Sequence, residues 1–145
     1  MSAPGLTDAE RRTLAAAMDR VLPGGEGPGA AGANAVGYAE WAARQPGFGE
    51  PARHALATGL RLLDSLAAAL WERPFAECAA DERDAVLRRV EETPHPTIQR
   101  FFVLLVRMTV TGLFCAPSYG GNRGGAGWAW IGFAPHPWTA AAEAP

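Results

Sequence analysis

The stretch Phe101-Phe102-Val103-Leu104-Leu105-Val106-Arg107-Met108-Thr109-Val110-Thr111-Gly112-Leu113-Phe114-Cys115 separates a helical chain from a mixed one. It is apolar on nearly every side and carries one charge, Arg107. Its β-branched residues, Val103, Val106, Thr109, Val110 and Thr111, would suit a buried strand. Its length, extended back to Thr97, exceeds a strand and predicts a helix over 97–115. A helix that is apolar all round belongs at the centre of a bundle. The run 101–115 is too short to cross a bilayer and reads as a buried helix.

Reading outward from it, Pro94-His95-Pro96 separates a preceding helix over 81–93, with Asp81 as its cap and Val86, Leu87 and Val90 facing inward. A long helix over 51–73 starts with proline in its first turn. Leu56, Leu60, Leu63, Ala67 and Leu70 alternate four and three apart along it, a seam for packing on another helix. A shorter helix over 34–44 takes Asn34 as its cap and carries Val36, Tyr38 and Trp41. Thr7 and Glu10 form a capping box for a first helix over 7–22, which Pro23-Gly24 stops. The glycine-rich segment 24–32 follows a helix rather than a strand, so it reads as a linker and not as a phosphate loop. The expected fold is all-α: a compact bundle of about five helices in a single domain over 1–145, with residues 1–6 and 139–145 as frayed ends. Leu63 and Leu104 are expected in its interior.

The totals fit one folding domain. The chain has 145 residues, 48% hydrophobic and 19% charged. Its formal net charge is -2, and every basic residue is arginine. That balance gives no pull toward nucleic acid or anionic lipid. The absence of lysine removes Schiff-base chemistry and a Walker-type loop. Cys78 and Cys115 are the only cysteines and form no CxxC pair, which argues against zinc or iron–sulfur ligation. Residues 1–13 are polar and mixed in charge, without the apolar core of a signal peptide. The chain as written is therefore expected in the cytoplasm, or in the periplasm if a leader has been removed or the assembled complex is exported.

Catalytic groupings are sparse. His54, His95 and His136 lie far apart, and no HExxH, GxSxG or strand-linked GxGxxG motif occurs. The adjacent carboxylates Asp81/Glu82 and Glu91/Glu92 point to different sides of a helix. Arg107, a fixed charge in the most apolar helix, is expected to find an internal ion pair, to snorkel, or to reach toward a partner or toward the loop around Gly120.

The C-terminal stretch Tyr119-Gly120-Gly121-Asn122-Arg123-Gly124-Gly125-Ala126-Gly127-Trp128-Ala129-Trp130-Ile131-Gly132-Phe133 alternates glycines with large aromatics. Such a segment is costly to order unless something packs on it. Either it covers its own helices or it grips a partner. Pro117-Ser118-Tyr119-Gly120-Gly121-Asn122-Arg123, then Gly127-Trp128 and Ile131-Gly132-Phe133, resembles the signature of the gluconate 2-dehydrogenase subunit 3 family. The opening Leu6 to Arg11, followed by Asp19-Arg20-Val21-Leu22-Pro23, and Phe101-Phe102 with the stretch Thr109 to Phe114 extend the resemblance over nearly the whole chain. Many members carry a twin-arginine export signal; Arg11-Arg12 is not one, because no apolar run follows it.

The resemblance implies a non-catalytic small subunit, and the lack of lysine, of clustered cysteine and histidine and of a strand-linked glycine fingerprint predicts no cofactor and no metal on this chain. Its partner would be a flavoprotein large subunit of the glucose-methanol-choline type, which holds FAD and oxidises a sugar hydroxyl. The small subunit would support that partner's folding, assembly or export in a hetero-oligomer, without nucleic acid and without inserting in a membrane. The expected partner-binding residues are Tyr119, Gly120, Gly121, Asn122, Arg123, Trp128, Trp130, Ile131 and Phe133. Two alternatives stay open. One is a stand-alone enzyme or small-ligand binder with a pocket of Tyr119, Asn122, Arg123 and His136. The other is a structural homodimer joined through the C-terminal aromatics.

Overall fold

The computed structural model describes residues 5–135. Among them the regular structure is helical throughout, with seven α-helices: α1 Asp8–Val21, α2 Gly29–Gly32, α3 Ala35–Ala43, α4 Glu50–Trp71, α5 Ala80–Glu92, α6 Pro96–Phe114 and α7 Ala126–Ile131. Five of these are the helices expected from periodicity. The other two arise where glycine and aromatic content hides a short turn of helix: α2 inside the segment read as a linker, and α7 inside the C-terminal stretch.

The ends follow from local chemistry, with two corrections. The Thr7 hydroxyl accepts the Glu10 amide at 3.1 Å and the Glu10 carboxylate accepts the Thr7 amide at 3.0 Å, so the capping box forms. Asp81 does not cap α5. Ala79 holds the cap position, and the Glu82 carboxylate accepts its amide at 2.8 Å. This leaves Asp81 in the first turn, where the helix dipole favours a carboxylate. Asn34 precedes α3 with a left-handed backbone (φ 54°) and makes no capping bond; its side chain is used elsewhere. The exposed His95 caps α6, its Nδ1 accepting the Thr97 amide at 3.2 Å.

α6 is the hub and packs against every other α-helix. Its strongest partners are α4 and α3. The α4 seam holds as expected for Leu56, Leu60, Leu63 and Ala67, all buried, while Leu70 at its end is exposed. At Gly59 the α4 backbone lies directly on the Phe101 ring, and a Cβ there would overlap it. Phe101, Leu105, Met108 and Leu113 fill the centre from the α6 side.

α6 is not buried all round, however. Leu104, expected inside, is half-buried and its neighbour Leu105 takes the interior position. Arg107 is exposed, beside exposed Val103 and Val110. The 19 residues of α6 meet the length and composition for a bilayer crossing, where the shorter run 101–115 did not. Six helices pack on it, the position of a core helix. Leu6 packs against the core; residues 1–4 and 139–145, whose fraying was expected, lie outside the described residues.

Long-range polar ties fix the outer helices. Arg20 on α1 forms two bonds to Asp84 on α5, at 2.8 and 3.0 Å. This pairing pulls the Asp84 carboxyl below the usual range and pushes the Arg20 guanidinium up. Asp64 on α4 accepts the Phe75 amide at 3.0 Å and the Thr13 hydroxyl at 3.3 Å. Phe75 itself is fully buried.

Candidate functional site

A helix that ends in the interior must find donors for its last carbonyls. α6 ends at Phe114, and the donors come from the glycine-rich stretch that follows it. The chain makes a short 3-10 turn at Pro117–Tyr119, passes Gly120 and Asn122 with positive φ, makes a second at Arg123–Gly125 and enters α7. On that path the Asn122 amide donates to the Gly112 carbonyl at 2.7 Å. The Asn122 side chain donates through Nδ2 to the Cys115 carbonyl at 2.8 Å and accepts the Gly127 amide on Oδ1 at 2.8 Å. Trp128 Nε1 donates to the Phe114 carbonyl at 2.8 Å. The segment is therefore a clasp that caps α6, with Asn122 at its centre and wholly shielded from solvent.

The residue types match the need. Asparagine tolerates the left-handed backbone (φ 43°) better than most residues and offers both a donor and an acceptor. Gly127 is required because α7 approaches so closely that a Cβ would overlap the Leu113 carbonyl. The clasp is also tied to the segment that leads into α3, which packs on α6 at Gly112. The Arg123 amide donates to the Ala33 carbonyl at 3.0 Å, and Asn34 Nδ2 donates to the Gly120 carbonyl at 3.1 Å. The Asn34 side chain, expected as a helix cap, serves this contact instead.

The clasp sorts the nine candidate residues into two groups. Gly121, Asn122 and Trp128 face inward or are half-buried and hold the segment in place. Gly121 and Asn122 are sealed from solvent and are not available to a partner. Tyr119, Gly120, Arg123, Trp130, Ile131 and Phe133 are exposed. Tyr119 (44% exposed) lies against Trp41, ring centroids 4.7 Å apart. Trp130 (49%) stacks on Phe114 at 6.4 Å with planes 7° apart and lies across Gly27. Phe133 (51%) meets Trp128 edge to face at 5.4 Å, and Ile131 is 56% exposed. Each outward aromatic thus has one face on the bundle and one in solvent. The role of Trp41, Phe114 and Gly27 as supports of those rings is not legible in the sequence, because nothing local links them to the C-terminal stretch.

Of the residues expected in a small-ligand pocket, the described ones differ in exposure. Tyr119 and Arg123 are exposed while Asn122 is sealed, and His136 lies outside the described residues. Among the described residues no three His, Cys, Asp or Glu side chains come together as metal ligands. Both cysteines are free thiols. Burial pushes the Cys115 thiol up, with a backbone bond from Gly121 acting the other way, so it stays protonated at neutral pH. Burial raises the Cys78 thiol as well.

A family model described as gluconate 2-dehydrogenase subunit 3 matches residues 8–135, which takes in all seven helices and the clasp. No curated protein and no solved structure matches the chain.

Proposed function

The chain belongs to the gluconate 2-dehydrogenase subunit 3 family, and from that membership we propose that it is a non-catalytic small subunit of a flavin-dependent dehydrogenase complex. Its partner is a large subunit of the glucose-methanol-choline type, which carries FAD and takes hydride from a sugar or alcohol. The chain supplies surface, and its role is to support the folding, assembly or export of that partner.

One observation carries this reading: the clasp holds Trp130, Ile131 and Phe133 half out of the bundle on a fixed backbone. Large aromatics so placed concentrate interface energy, and preorganisation lowers the cost of docking. Tyr119 and Arg123 extend the same surface, Arg123 as an anchor for a carboxylate. Trp128 and Asn122 act through the fold of the segment.

Co-expression with the flavoprotein subunit, followed by affinity capture, tests the proposal. The two chains should co-purify with flavin absorbance in the large subunit alone. Trp130→Ala and Phe133→Ala should each weaken capture by about 2 kcal/mol while leaving helix content unchanged. Capture that survives both changes at full strength would rule out this surface.

A further inference from the structure

Away from the clasp, a cleft of about 330 Å³ opens between α3, the Pro46–Phe48 turn and α6. Tyr38, Phe48 and Met108 make it apolar, and Arg100 and Arg107 line it from α6. No aspartate or glutamate lines it. Among the described residues neither guanidinium has an ion pair or hydrogen-bond partner. The two arginines stand together beside apolar surface with no carboxylate in the lining, a local positive site in a chain whose formal net charge is -2. Their positive charge is local, so it selects a site rather than drawing anions to the whole molecule.

The spacing says more. Arg100 and Arg107 are two helical turns apart on one side of α6, roughly 10 Å along the axis. Val103 and Val110 repeat the same interval beside them, 54% and 42% exposed. The stripe ends at Phe114, on which Trp130 stacks. The exposed side of α6 therefore runs without a break into the outward aromatics of the clasp.

We propose that this stripe receives an acidic amphipathic helix of the dehydrogenase large subunit. Two carboxylates about two turns apart meet Arg100 and Arg107, and apolar side chains on the same face cover Val103 and Val110. The proposal rests on the subunit role given above and adds a second, electrostatic half to an interface whose aromatic half is the clasp. Charge pairs of this kind fix register and speed encounter.

The test is the affinity of the purified chain for the purified flavoprotein subunit across a salt series. Because both arginines are exposed and unpartnered, Arg100→Gln with Arg107→Gln should leave the melting temperature unchanged. The double variant should bind on the order of tenfold more weakly at low salt, and its affinity should fall less steeply as salt rises. Trp130→Ala should weaken binding yet keep the wild-type salt dependence. Wild-type and double variant binding equally, with the same salt slope, would overturn the stripe and leave the subunit role standing. If the wild-type chain binds no flavoprotein subunit, the subunit role itself falls and the stripe with it. Salt-sensitive self-association, or binding to vesicles of anionic phospholipid, would also overturn the proposal if the double variant abolished it, by naming a different occupant.

Discussion

At the scale of the residue, Asn122 holds the account together. One buried side chain joins the end of α6 to the start of α7, and its backbone amide caps a further α6 carbonyl. Asn122→Ala takes the partner from the buried Gly127 amide and from the part-buried Cys115 carbonyl. It also puts alanine in a left-handed conformation. The expected loss is roughly 2–4 kcal/mol, measured as a lower urea midpoint. An unchanged midpoint would mean that the clasp is not ordered by this residue. The Arg20–Asp84 pair makes a smaller contribution. Because the pair depresses the folded-state pKa of Asp84, its stabilisation is complete above the ordinary carboxylate value of about 4 and is lost as pH falls through the folded value. Asp84→Asn should therefore cost under about 1 kcal/mol at pH 7 and progressively less below pH 4, read from melts across pH. The sequence places Asn122 among glycines and groups it with the expected partner-binding residues. It could not show that the amide caps α6, because the accepting carbonyls belong to a separate element.

At the scale of the element, periodicity located five helices and proved weakest where burial is uneven. The α4 seam was legible because Leu56, Leu60, Leu63, Ala67 and Leu70 recur four and three apart, with Arg61, Asp64 and Ser65 between them. On α6 apolar residues occur on every side, so the pattern could not tell the buried face from the exposed one. Packing by α3 and α4 chooses Leu105 over Leu104 and leaves Val103 and Val110 outside. Leu105→Ala should cost roughly 2–5 kcal/mol, as expected for a fully buried leucine, and Leu104→Ala distinctly less. Thermal melts of the two variants side by side would check the order, and the reverse order would show that α6 is rotated about its axis. The helices α2 and α7 escaped notice for another reason. Glycine lowers helix propensity, and both helices are short pieces held by tertiary contact, α7 by the clasp and α2 by its packing on α1, α3 and α6.

At the scale of the whole molecule, the bundle is a platform for one continuous surface. The interior is closed by α1, α3, α4, α5 and α6, and the clasp uses the end of α6 to set aromatics at the rim. The chain belongs to the gluconate 2-dehydrogenase subunit 3 family, and in the proposed complex these residues would be the contact surface. Hydrogen exchange on the chain, alone and bound to the flavoprotein subunit, tests that claim at the residues concerned. Backbone amides over 129–133 should exchange more slowly in the complex, while the hydrogen-bonded amides of Asn122 and Gly127, already protected in the free chain, should change little. Unaltered exchange over 129–133 in a complex that has formed, with protection appearing on α5 or the outer face of α4 instead, would contradict it.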